Sequence, residues 1–248
     1  MCRLLLIKNK TNKTDLTNIL YEFIKQSKDG MTPDKTDKGH KDGWGFVSYN
    51  LGHISLFKKS SKYAYIDKEF KSVENKLLKN SGDIIMGHLR KSLVGKNTVN
   101  NSHPFVYKNF SFCQNGTIFN SDKIKINKKY KALIKGNTDT EKLFYYILGE
   151  TKEKITKKNF NQAITKIREK FDYTAINILF SDGEKAIVLR DINLKNAYVK
   201  KGKLESYYSL FIGTHKINNY FIVSSEIIKI EGVKWELIKN KKMLEITG

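Results

Sequence analysis

The sequence predicts an α+β fold built on antiparallel sheets, and three observations lead there. Strand-like segments come in neighbouring pairs joined by short turns: Trp44–Tyr49 with His53–Phe57 across Asn50-Leu51-Gly52, and Thr174–Phe180 with Lys185–Arg190 across Ser181-Asp182-Gly183. Helix-periodic segments are grouped, with 139–149 and 157–171 forming a central block. Strands and helices therefore do not alternate as a parallel βαβ sheet requires, and no glycine pattern of a Rossmann or phosphate-binding loop is present.

The elements follow in chain order. Residues 2–8 read as a first strand. Their apolar stretch is too short for a secretory signal and lacks a small-residue cleavage site, so a cytoplasmic protein is expected. Residues 15–27 place Leu16, Ile19, Leu20, Phe23 and Ile24 at helical spacing behind a cap expected at Thr14. Lys28 to Gly39 is a polar loop. Residues 67–79 read as a helix, and Asp83–His88 and Phe110–Gln114 as strands. Beyond the second hairpin, strands are expected at Ala197–Lys200, Tyr207–Ile212 and Tyr220–Ser224, with a last pair at Val233–Ile238 and Met243–Ile246. No internal repeat or long linker interrupts the chain, so one domain over 2–248 is expected. No apolar run reaches the roughly 18 residues of a membrane-spanning helix.

Apolar residues make up 40% of the 248, enough for a sizeable core, yet the net charge is +21. Such a charge invites a nucleic-acid reading. Its chemistry argues against one. Of 46 basic residues only Arg3, Arg90, Arg168 and Arg190 are arginines, and the other 42 are lysines spread along the whole chain. Arginine is the better fork for phosphate and base edges, so a solvated lysine surface is the expectation and each arginine is worth individual scrutiny. Two cysteines, Cys2 and Cys113, are too few for a disulfide framework or a metal cluster, and no metal or cofactor is expected. Cys113 reads as a small buried hydrophobe.

Cys2 differs by position. Methionine aminopeptidase removes Met1 when the next residue is small, and a terminal Cys then carries a thiol and an α-amino group together. That amine, with a pKa of about 7.7–8.0, can act as the thiol's own base. Met86-Gly87-His88-Leu89-Arg90 is a strand ending in an arginine, either a carboxylate clamp or a surface ion pair. In Phe112-Cys113-Gln114-Asn115-Gly116, the Asn-Gly pair is either a turn or an oxyanion hole made by the Asn115 amide and the Gly116 N–H. Gly136-Asn137-Thr138-Asp139-Thr140-Glu141 opens a helix, with Thr138 or Asp139 as its cap, or with the Asp139 carboxylate as a partner for an ammonium group.

Taken in order, the N-terminal Cys2, His88-x-Arg90, Asn101-Ser102-His103-Pro104-Phe105, Asn115-Gly116 and Thr138-Asp139-Thr140-Glu141 resemble the class II glutamine amidotransferases. His40-Lys41-Asp42-Gly43-Trp44-Gly45-Phe46 and Phe221-Ile222-Val223-Ser224-Ser225-Glu226 are similar to segments of the stand-alone members, so the resemblance runs from residue 2 to about 240. It implies the four-layer αββα sandwich of N-terminal-nucleophile hydrolases, with two antiparallel sheets between helical layers. It implies Cys2 as nucleophile, Asn115 and Gly116 as oxyanion donors, Arg90 for the substrate α-carboxylate and Asp139 for its α-ammonium. Trp44, His88, Ser92 and His103 are supporting. One departure stands out: the family's usual Thr or Ser three residues after the arginine is Leu93 here, with Ser92 one place earlier.

The resemblance implies glutamine hydrolysis through a γ-glutamyl thioester, with ammonia passing to a separate acceptor protein. A γ-glutamyl peptide such as glutathione is the alternative substrate. A basic binding module without turnover is the non-enzymatic alternative.

Overall fold

A computed structural model of the protein describes residues 2–33, 37–80, 82–92 and 96–247. Alternation along the first strand, β1 (Arg3–Lys8), sets out the layers. Successive side chains of a strand point to opposite faces. Leu4 and Leu6 enter one apolar core together with Val47, Met86, Cys113 and Val188. Leu5 and Ile7 enter another with Leu16, Phe23 and Phe46. Both faces of β1 are therefore covered, which is why its four central residues are all apolar.

Seven antiparallel strands form the first sheet. β2 (Trp44–Asn50) pairs with β3 (His53–Ser60) and with β4 (Ile84–Leu89), which pairs with β1. On the other side of β1 come β10 (Tyr220–Ser224), β9 (Phe211–His215) and β11 (Val233–Leu237). The second sheet runs β12 (Lys242–Ile246), β8 (Ala186–Arg190), β7 (Asn177–Ser181), β6 (Phe110–Asn115) and β5 (Phe105–Tyr107).

Helices α1 (Lys13–Asp29) and α2 (Lys68–Lys79) pack on the outer face of the first sheet. Helices α4 (Asp139–Thr151) and α5 (Lys157–Lys170) cover the second, with the short α3 (Lys128–Lys131) beside α4. The order is helix, sheet, sheet, helix, as the expected α+β sandwich requires. The α1 seam is sharp: Phe23 meets Phe46 edge to face at 6.0 Å, against Gly87, where a Cβ would lie 2.6 Å from the Phe46 ring. Phe23→Ala would open a cavity there at a cost of about 3–5 kcal/mol. Among the described residues no helix is long and apolar enough to cross a membrane.

Four expectations are corrected. Asn12, not Thr14, caps α1, its side chain accepting from the Asp15 N–H at 2.8 Å. Residues 197–200 belong to a helix, α6 (Ala197–Gly202), because the Asn196 side chain accepts from the Tyr198 and Val199 N–H groups and nucleates a turn. The expected strand at Tyr207–Ile212 is displaced to Phe211–His215, since Tyr207 and Tyr208 are buried in the preceding turn. The last two strands do not pair with each other. β11 joins the first sheet and β12 the second, and the chain crosses between them at Ile238–Lys241. Met1, Leu93 and the centre of the 28–39 loop lie outside the described residues.

Candidate active site

The alternation that builds the layers also assembles the site. Cys2 has the parity of Leu4 and Leu6, and Asn115 that of Cys113, so both face the space between the sheets. They meet at the end of the sandwich: the Cys2 backbone N donates to Asn115 Oδ1 at 2.9 Å. An N–H must face an acceptor, which fixes the Asn115 amide with Oδ1 toward Cys2. Its Nδ2 is buried and has no hydrogen-bond partner among the described residues. Gly116 follows with φ +137°, and a Cβ there would lie 1.8 Å from the Ala175 carbonyl oxygen, so only glycine lets β6 turn at this point.

Arg90 leaves the end of β4, anchored by its N–H to the Gly43 carbonyl and by its own carbonyl from Asp42, at 2.8 and 2.9 Å. Its guanidinium is buried and donates to Ser92 Oγ at 2.9 Å. Ser92 in turn is held by its N–H to Asp42 Oδ2 at 2.7 Å. Ser92, one place before the position where the family's hydroxyl is expected, thus puts a hydroxyl on Arg90.

Asp139 is the first residue of α4. Thr138 is the cap, its hydroxyl accepting from the Glu141 N–H, while Glu141 reaches back to the N–H groups of Lys135 and Gly136. With capping assigned to Thr138, the Asp139 carboxylate turns inward and accepts from the Ile118 N–H at 2.7 Å. Burial pushes its pKa up to about 6, against the hydrogen bonds of nearby N–H groups. A cation beside it would reverse that shift.

Cys2, Arg90, Ser92, His103, Gly116 and Asp139 line one cleft, and Thr117 and Thr140 complete its wall. The cleft is tight, about 40 Å³, room for about three waters.

The remaining expected residues stand behind this shell. The His88 ring lies 4.0 Å from that of His103, and His103 Nδ1 accepts from the Gln114 N–H at 3.4 Å. Burial drives both imidazoles well below their usual pKa, so they are neutral at neutral pH. His103 packs and accepts a hydrogen bond, while both His88 ring nitrogens are buried without a hydrogen-bond partner among the described residues. Trp44 is outside the cleft. It packs on Phe70 at 5.6 Å and donates Nε1–H to Asp67, the cap of α2.

Arg3 was not singled out by its chemistry, although it adjoins Cys2 and is one of only four arginines. It is fully buried, pairs with Glu226, stacks 4.5 Å over the Tyr207 ring and donates to the Cys2 carbonyl at 3.2 Å. It therefore holds the Cys2 main chain from the side opposite Asn115.

A thiol, a guanidinium and a buried carboxylate line one cleft. The chain is 30% identical over 164 residues to the probable glutamine amidotransferase DUG3 of Saccharomyces cerevisiae, covering 60% of this chain and 45% of that protein. It is 28% identical over 172 residues to the glutamine–fructose-6-phosphate aminotransferase of Francisella tularensis, covering 68% and 26%. The matches thus span less than half the length of these relatives. A class II glutamine aminotransferase domain protein from Silicibacter pomeroyi superposes with a TM-score of 0.65 at 18% identity, over 99% of this chain and 95% of that one. The phosphoribosylpyrophosphate amidotransferase of B. subtilis does so with 0.62 at 17%, over 99% and 47%. These two show a shared fold. The family described as glutamine amidotransferases class-II matches residues 1–202, and the chain belongs to that family.

Proposed function

We propose that residues 2–248 form one catalytic domain that hydrolyses the γ-amide of glutamine, with Cys2 as nucleophile after removal of Met1. The observation that carries this reading is the divided Asn115 amide. Its oxygen holds the Cys2 nitrogen, and its buried NH₂ has no hydrogen-bond partner among the described residues. A buried donor without an acceptor is costly in a resting protein and useful in a reacting one.

In this scheme the Cys2 amine takes the thiol proton and Sγ attacks the γ-carbonyl carbon. The carbonyl oxygen becomes an oxyanion held by Asn115 Nδ2 and the Gly116 N–H. The C–N bond then breaks, the amine returns its proton to the leaving ammonia, and a γ-glutamyl thioester remains. Water activated by the same amine releases glutamate and regenerates the thiol. Arg90 binds the α-carboxylate, and Asp139 binds the α-ammonium, which restores its ordinary ionisation. Ser92 orients Arg90. The ammonia passes to an acceptor domain or protein.

Intact mass before and after treatment with diazo-oxo-norleucine tests the scheme. The expected result is loss of Met1 and one adduct on Cys2, with glutamate release from glutamine but not from glutathione. Active protein that retains Met1 overturns the mechanism. Release from glutathione alone keeps the mechanism and replaces the substrate.

A further inference from the structure

Arg3 is paired with Glu226, Arg168 with Asp191, and Arg90 lines the cleft. Arg190, the last residue of β8, is used by none of these. It is 3% exposed, and its described acceptors are two main-chain carbonyls: Tyr208 from Nε at 3.4 Å and Ile238 from Nη1 at 2.9 Å. Carbonyls carry only partial charge. Among the described residues no carboxylate forms an ion pair with it. Glu205 acts on it from a distance and is itself exposed. A guanidinium this buried calls for a counter-charge.

The guanidinium opens onto a cavity of about 680 Å³, separate from the Cys2 cleft. Lys200 on α6 and Lys203 just after it bring two more cations to the rim, against the single carboxylate of Glu205. The formal charge of the lining is therefore about +2. Ser206 and Ser209 offer hydroxyl donors, and Leu194 and Leu237 form an apolar wall.

We infer that this cavity is a second ligand site, for a small organic phosphate monoester whose phosphate sits on Arg190 and whose apolar body rests on Leu194 and Leu237. A phosphate monoester carries about −1.5 to −2 at pH 7 and matches the lining, whereas a monocarboxylate leaves one cation unanswered. Guanidinium binds phosphate in a fork, with two N–H groups at once. The concave form suits a small molecule better than a polymer backbone. The site adjoins the candidate active site through one atom: the Tyr208 carbonyl that accepts from Arg190 also accepts from Asn177 Nδ2 at 2.9 Å, and Asn177 is the ladder partner of Asn115.

Isothermal titration of the full chain with phenyl phosphate, and separately with benzoate, tests this. The expected result is one phosphate bound per chain, with benzoate at least about tenfold weaker, one charge-assisted contact's worth. Arg190→Gln is expected to abolish binding. Because that variant also loosens two carbonyls, the exposed pair Lys200→Glu/Lys203→Glu is the second arm. It is expected to weaken binding at least about tenfold at unchanged thermal stability. The same charge change at Lys10→Glu/Lys13→Glu is expected to leave binding intact. Absence of phenyl phosphate binding at millimolar concentration and low salt overturns the inference. So does equal weakening by both lysine pairs, which marks a diffuse charge effect.

Discussion

The two cysteines face the same space between the sheets, Cys2 from the first sheet and Cys113 from the second, and have opposite surroundings. Cys113, in the middle of β6, is packed among Leu6, Met86, Leu179 and Val188. Burial pushes its thiol pKa well up, so it stays protonated and inert. Cys2, at the open end of the same layer, has its nitrogen on Asn115, its carbonyl on Arg3 and its side on a polar cleft. Residue type is constant and environment is not. What differs is the supply of polar partners at the layer's end, where Asn115, His88 and His103 replace the Leu and Val of its middle.

The comparison can be broken most directly by exchanging roles. Cys2→Ala is expected to lower glutamine hydrolysis at least about 10⁴-fold with little change in stability. Cys113→Ala is expected to keep activity within about twofold and to cost about 1–2 kcal/mol in urea unfolding. Rapid iodoacetamide labelling of Cys113 in folded protein would contradict the contrast. Next in size, Asn115→Ala is expected to reduce kcat about 10²–10³-fold with KM little changed, the mark of a contact made in the transition state. A rise in KM alone would assign Asn115 to ground-state binding instead.

Asp139→Asn and Arg90→Gln address the other wall. Each removes one charge-assisted contact with the amino acid, so KM is expected to rise about 10–100-fold. For unaltered protein, KM is expected to rise as pH falls through about 6, where Asp139 takes up a proton. A flat KM between pH 7.5 and 5.5 would remove Asp139 from substrate binding.

The smallest effect concerns stability against pH. His40, His88 and His103 are held neutral by burial and gain protons only on unfolding. Their contribution is complete above about pH 6.5 and is lost as pH falls. Asp139 works in the opposite sense: folded, it holds a proton near pH 5 that the unfolded chain, at about 3.9, has released. Three histidines against one carboxyl leave a net loss of stability as pH falls below about 6.5. Urea midpoints at pH 7.5, 6.5 and 5.5 should fall, and Asp139→Asn should steepen the fall. A rising midpoint would mean that the histidines are charged in the fold.

Much of this was legible in the chain because local rules and global layers agree. The parity of β1 alone puts Cys2 with Leu4 and Leu6, and Thr138–Glu141 is a readable helix start that leaves Asp139 for other work. The errors arose where a side chain outweighs propensity. Val199 and Tyr198 favour a strand until Asn196 caps them into a helix. Nor does the composition of Val233–Leu237 and Lys242–Ile246 reveal that they serve different sheets, because each pairs with residues remote in sequence. Arg3 escaped notice because its partners, Met31, Tyr207 and Glu226, converge only in three dimensions.

The hydrogen bond from Cys2 to Asn115 asks only for an N–H, and a peptide nitrogen supplies one as well as a free amine does. That bond is therefore available whether or not Met1 has been cut away. A chain that escapes processing would keep it and would lack its base. Under the proposed mechanism, the supply of working enzyme is then set by an aminopeptidase, not by the folding equilibrium.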